Sequence, residues 1–326
     1  MEASPVAQLP DVIPPASWTV VMGSGVVSID LAANHRVVLS AILLWFAAAA
    51  WLLLAIVLGA PLVYQRDRFA REARSPASFT AAAGTAVLGT RLVMQDYRVA
   101  GAALLVVAVI AWALFLVPVL RHWETPTTGI SFVVGVATDG VAVLAATLAV
   151  AYRAGWLVSG AAVFLLLGLA CYAFTVARFD LGQLLSGQGD HWVAGGALAI
   201  AALAAGKIAA AAGALGLFRQ QHQVLTTGTL VLWCLAMAWL FPLVSCELLR
   251  PRLRYDLRRW ATVFPFGMYA ACSFAAGQVT GLTGITGFAQ VWTWVAFAVT
   301  LVVLAGLLRR AGHVWRRRAE ERASPA

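Results

Sequence analysis

Ser17–Val63 reads SWTVVMGSGVVSIDLAANHRVVLSAILLWFAAAAWLLLAIVLGAPLV, and it holds two successive spans of different make. The second, Val37–Val63, carries no charge at all. About 20 apolar residues suffice for a helix to cross a ~30 Å hydrocarbon core, so this span predicts a transmembrane helix. The first, Trp18–Asn34, is built from Gly, Ser, Ala and Val and has Asp30 inside it. Small residues let helix backbones approach closely, and an acid at membrane depth has to face protein or water. Together the two spans predict a hairpin with one sheltered helix and one facing lipid.

The same alternation continues along the chain. Uncharged spans recur at Val99–Leu120, Ala154–Ala177, Val224–Cys246 and Gly281–Leu308. Weaker spans rich in small residues recur at Phe79–Met94, Phe132–Tyr152, Trp192–Leu217 and Trp260–Val279. The 326 residues are 62% hydrophobic and 11% charged, against roughly 25% charged for soluble domains. So few charges could not cover a soluble particle. This excludes a soluble enzyme, a disordered chain and a nucleic-acid-binding domain, despite a pI near 10.1. The four cysteines (Cys171, Cys234, Cys246, Cys272) lie in apolar runs without metal or disulfide spacing. Residues 1–17 carry Glu2 and Asp11 but no Lys or Arg, unlike the basic start of a signal peptide.

Each weak span opens on an aromatic: Trp18, Phe79, Phe132, Trp192 and Trp260, at steps of 61, 53, 60 and 68 residues. Such spacing fits a repeat architecture, although aromatics also favour membrane interfaces. Each unit has an even number of helices, so all five share one orientation, as parallel repeats about an axis along the membrane normal do. The expected fold is an all-α polytopic membrane protein of ten transmembrane helices. They form five hairpins in quasi-fivefold order, with the five weak helices enclosing a central pore.

Charge sets the expected orientation. With the N-terminus inside, 17 of the 23 Lys and Arg residues fall on inner segments, chiefly at Arg66–Arg74, Arg250–Arg259 and Arg309–Arg322, and 4 fall on outer loops. The positive-inside rule then places both termini in the cytoplasm of a multi-pass plasma-membrane protein. The expected division is a cytoplasmic segment at 1–16, a membrane domain at 17–310 and a basic cytoplasmic tail at 311–326.

Several short motifs carry a family resemblance. Pro14-Pro15-Ala16-Ser17-Trp18 followed by Val21-Met22-Gly23-Ser24-Gly25 resembles the first helix of the tellurite-resistance/dicarboxylate transporter family. That family includes bacterial tellurite-resistance permeases, fungal malate and sulfite exporters and plant guard-cell anion channels. Trp260-Ala261-Thr262-Val263-Phe264-Pro265-Phe266-Gly267 in the ninth span and Val136-Ala137-Thr138 in the fifth are similar to further family segments. The resemblance implies a pore lined by odd-numbered helices, passage of small anions and a homotrimer of separate pores. It also implies a ninth-helix phenylalanine that blocks the pore: Phe264 matches best, with Phe266 the alternative two residues on. Pro265 removes a backbone donor and loosens the helix there, and a bulky apolar ring at a constriction can gate by excluding water.

Ionisable residues inside spans need partners or water. Asp30 and Arg91 both lie 12 residues past their opening aromatics, about 18 Å along neighbouring helices, and are expected to form an ion pair. Asp139 departs from the uncharged polar residue more usual in the family. Beside an anion path it would be protonated, paired with a cation or a proton-coupling site, or it marks a substrate that is not a simple anion. Lys207, the one lysine of the chain, either attracts anions at the outer end or snorkels to the interface. Gly23, Gly25 and Gly84 either leave room for a solute near the gate or permit close helix packing. Glu247, three residues before Arg250, has the spacing of a surface pair.

Two transport readings follow: a channel or facilitated permease for small anions, or a proton-coupled carrier of dicarboxylates, sulfite or similar weak acids. The five histidines sit near span ends in no paired spacing. With no H-E-x-x-H, G-x-S-x-G or phosphate-loop signature, no enzyme, cofactor, metal site or nucleic-acid partner is expected.

Overall fold

The computed structural model describes residues 14–64, 66–187, 189–251 and 256–323. Most of the expected segment 1–16 and the last three residues lie outside them. Ten long helices run α1 Thr19–Ala33, α2 Val37–Tyr64, α3 Phe79–Val93, α4 Arg98–Arg121, α5 Val133–Tyr152, α6 Gly155–Val176, α7 Val193–Leu215, α8 His222–Leu249, α9 Trp260–Thr280 and α10 Thr283–Ala323. Eight of these are long and apolar enough to cross a membrane, all but α3 and α9. The chain is a polytopic helical membrane protein. Helix α10 passes residue 310 without a break, so the basic stretch that follows continues the same helix as far as Ala323.

The odd-numbered helices close a ring. Helix α1 packs on α3, α3 on α5, α5 on α7, α7 on α9, and α9 back on α1. Each even-numbered helix packs on the inner helix of its own hairpin and leans on the next inner helix, the last of them, α10, on α1. Extensive packing joins no two outer helices directly. The division follows composition: inner helices, rich in small residues, are buried along most of their length, whereas the Leu- and Val-rich outer helices expose Ile56, Ile110, Leu166, Phe241 and Val302.

The repeat is structural. A 3₁₀ turn precedes every inner helix: Pro15–Trp18, Pro76–Ser78, Gly129–Phe132, Asp190–Trp192 and Leu257–Arg259. Each ends at, or just before, the opening aromatic. All five aromatics are buried, so they pack inside the bundle and do not sit in an interfacial belt. Hydroxyls within the inner helices return to carbonyls four residues back, as Ser24 does to Val20, Thr85 to Ala81 and Thr138 to Val134. This satisfies polar side chains locally where water is absent.

Candidate functional site

Counting from each opening aromatic gives every inner-helix position a direction. Position 6 faces outward. There, Thr85 and Thr138 accept the indole N–H groups of Trp51 and Trp112 on outer helices α2 and α4, at 2.9 and 2.8 Å. At the same position in α9, Phe266 stacks on Trp292 of α10, with ring centroids 5.7 Å apart and planes 11° apart. Position 5 faces the preceding inner helix. A Cβ built on Gly23 would stand 3.0 Å from Val263 of α9, and one on Gly84 would stand 3.4 Å from Val21 of α1. Pro265 likewise abuts Gly196 of α7. Position 7 of α1 and α9 faces the following inner helix: Gly25 meets Val87 of α3, and Gly267 meets Val26 of α1. With 3.6 residues per turn, position 4 lies about 200° from position 6, on the lumen side. It carries Met22, Ala83, Val136, Gly196 and Phe264, all buried.

Phe264 is fully buried, with 0% of its surface exposed. Val263 and Pro265, its neighbours in sequence, reach the two adjoining inner helices. Phe266 stands on the opposite face, locked by Trp292 and by Trp192, whose ring centroid is 4.6 Å away. Of the two candidate phenylalanines, Phe266 is turned to the outer layer, and Phe264 lies about 200° from it around the helix. Gly23, Gly25 and Gly84 lie at helix–helix contacts and not at the lumen. Their missing side chains admit neighbouring helices, not a solute.

The expected Asp30–Arg91 pair is not formed. Arg91 donates to Ser28 Oγ at 3.1 Å, and to Ser40 Oγ at 3.2 Å from Nε and 2.8 Å from Nη2. Asp30 turns to α9, where its Oδ2 would lie 3.2 Å from a Cβ on Gly267. Both of its oxygens are buried without a hydrogen-bond partner. Position 12 points toward the preceding inner helix, so Arg91 faces α1 while Asp30 faces away from Arg91, to α9.

Asp139 is also turned from the lumen. Its carboxyl group packs against Gly168 of its hairpin partner α6, so tightly that a Cβ on that glycine would overlap it. Asp139 Oδ1 is buried without a hydrogen-bond partner. Lys207 lies 11 residues, or three turns, past Gly196, which returns it to the lumen side about 16 Å further along the helix. It is half-buried and forms no hydrogen bond or ion pair among the described residues. Glu247 receives Trp192 Nε1 at 3.3 Å and Arg259 Nη1 at 3.4 Å, which ties the end of α8 to the opening turns of α7 and α9.

Sequence reasoning missed the two Trp–Thr bonds that staple one hairpin to the next. A signal was present: Thr85 and Thr138 both stand six residues past an opening aromatic, and Trp51 and Trp112 are 61 apart, the first repeat step.

A closed ring of five small-residue helices inside five apolar, exposed ones, built from five successive helical hairpins, defines a polytopic membrane protein of the helical-hairpin class. The voltage-dependent anion channel family, SLAC1, matches residues 12–308, and the chain belongs to that family. It is also 31% identical over 129 residues to uncharacterized membrane proteins of Mycobacterium tuberculosis strains CDC 1551 / Oshkosh and H37Rv. Those matches cover 36% of this chain and 62%, less than two thirds, of each relative.

Proposed function

We propose that the chain conducts small anions through its own axis, as a channel or facilitated permease gated by Phe264. Phe264 carries the reading: it is fully buried on the inward face of α9 inside a ring of five helices. Membership of the anion channel family supports it. Electrostatics supports it too. The lumen-side residues level with Phe264 are apolar, Lys207 stands on the lumen side beyond them, and the carboxylates of Asp30 and Asp139 are directed into helix contacts. Repulsion of anions by these acids is thereby reduced. The protein is proposed to work in the plasma membrane with both termini cytoplasmic, as a homotrimer with one path per protomer. Rotation of the Phe264 ring opens the path by letting water in. The test is flux of a graded anion series into liposomes holding purified protein. Phe264→Ala is expected to raise flux at least tenfold, and unchanged flux would refute the gate.

A second reading, proton-coupled export of dicarboxylates, sulfite or similar weak acids, has its own observation. Asp30 has no hydrogen-bond partner at either buried oxygen and Asp139 none at Oδ1, and neither pairs with a cation among the described residues. In the same liposomes, coupling requires uptake that depends on a pH gradient and is lost in Asp139→Asn or Asp30→Asn. Flux indifferent to the gradient leaves the channel.

A further inference from the structure

The first two hairpins enclose a cavity of about 290 Å³ that the axial path does not use. Trp51 and Leu58 of α2 form one wall, and Val107 and Leu114 of α4 form the other. Its floor is made by Trp18 and α3, away from the lumen. Val107 and Leu114 remain 42% and 43% exposed, so the cavity opens sideways between the two outer helices, toward the acyl region. The volume is close to the lower end of small-ligand sites, roughly 300 Å³, and the lining is overwhelmingly apolar.

What closes one end of this cavity is a short helix, Arg66–Glu72, in the connection between the hairpins. Its Phe69 and Glu72, with the following Ala73, face the cavity. Glu72 is paired with Arg68 at 2.9 Å. Arg66, Arg71 and Arg74 are exposed, and among the described residues their guanidinium groups form no ion pair. Arg66 and Arg71 lie on the short helix that closes the slot, and Arg74 follows it directly. An apolar slot between two outer helices therefore ends at a short connection that also carries three exposed cations.

We propose that this cavity holds one acyl chain of an anionic phospholipid whose phosphate rests on Arg66, Arg71 and Arg74. The slot accepts hydrocarbon and gives little to a polar solute. The arginines select for negative headgroup charge, each contributing about fivefold in affinity. Bound there, the lipid bridges α2 and α4, which do not pack extensively on each other, and it seats the first hairpin against the second.

The test is native mass spectrometry of the full chain released from nanodiscs of equimolar phosphatidylglycerol and phosphatidylcholine. The expected result is one phosphatidylglycerol retained per protomer, at least tenfold in preference to phosphatidylcholine. Ala111→Trp, which fills the slot from α4, is expected to abolish retention while particle size stays unchanged. Arg66→Gln/Arg71→Gln/Arg74→Gln alters only exposed side chains and is expected to bring the two lipids to equal retention. Equal retention of both lipids by the wild type, or full retention by Ala111→Trp, overturns the proposal. So does a lipid-free wild type whose oligomer dissociates on Ala111→Trp, because the slot would then be filled by a second copy of the chain. Should Ala111→Trp fail to fold, the arginine variant decides alone.

Discussion

The indole of Trp292 clasps Phe266 from the outer layer, stacking on its ring at 5.7 Å and donating to its carbonyl oxygen at 3.0 Å. The turn around Pro265 is therefore held from outside, on the face opposite Phe264. Phe266→Ala is expected to destabilise the protein by about 2 kcal/mol through loss of buried aromatic area and its stacking, read as a lower melting temperature in detergent. It is expected to leave the selectivity of anion flux as in the wild type. Flux that rises as much with Phe266→Ala as with Phe264→Ala would assign the plug to the wrong ring.

Arg91 and Asp30 offer a sharp test of ring geometry. A double-mutant cycle with Arg91→Met and Asp30→Asn should give a coupling energy within about 0.5 kcal/mol of zero, the ordinary result for side chains without shared contacts. A direct ion pair at this depth would couple by well over 1 kcal/mol. Chemical denaturation of the purified protein in mild detergent measures all four corners.

Ser40 carries the guanidinium's shortest bond, so Ser40→Ala leaves the buried Nη2 without its acceptor while Ser28 still holds Nε. The expected loss is about 1–3 kcal/mol, that of leaving a charged donor without its acceptor. Ser40→Thr keeps the hydroxyl and is expected to recover most of it. Equal melting temperatures for Ser40→Ala and the wild type would show that water replaces the bond.

Gly168 and Gly59 make a contrasting pair. A Cβ on Gly168 would collide with the Asp139 carboxyl group, whereas one on Gly59 meets nothing within 4 Å. Gly168→Ala should destabilise by about 1–3 kcal/mol through overpacking. Gly59→Ala should be neutral or slightly stabilising, because Ala has the better helix propensity. Combining Gly168→Ala with Asp139→Ala should restore stability if the carboxyl group is the obstacle.

The two Trp–Thr staples are expected to be modest individually. Thr85→Val and Thr138→Val should each cost about 0.6 kcal/mol, typical of side-chain hydrogen bonds between membrane helices. The double variant should show additive losses, since the bonds join different hairpins. Thermal unfolding followed by tryptophan fluorescence distinguishes this from a cooperative loss.

The number and order of the long helices were readable from the chain, and most of their ends to within a few residues, although α10 runs on to Ala323, well past the expected Leu308. The reading Phe79–Met94 against the helix Phe79–Val93 is one such near match. Depth was readable too, since 1.5 Å per residue applies to any helix. Azimuth was not. Inner helices are apolar or small on all sides, so no polar face marks which side meets the lumen, and Gly23, Gly25 and Asp139 could be aimed only by knowing their neighbours. Asp30 and Arg91 failed for the same reason: the repeat that sets them level also turns them the same way around the circle.

The absence of direct support between outer helices has a mechanical consequence. Each leans on the following stave like an overlapping shutter blade, and a circle of such blades has no free end. A tilt imposed on any one hairpin must be taken up by its successor and so travel around until it returns to its origin. For the proposed Phe264 gate, this geometry predicts an aperture that widens or narrows as a whole, with a force at the rim reaching the centre without any dedicated lever.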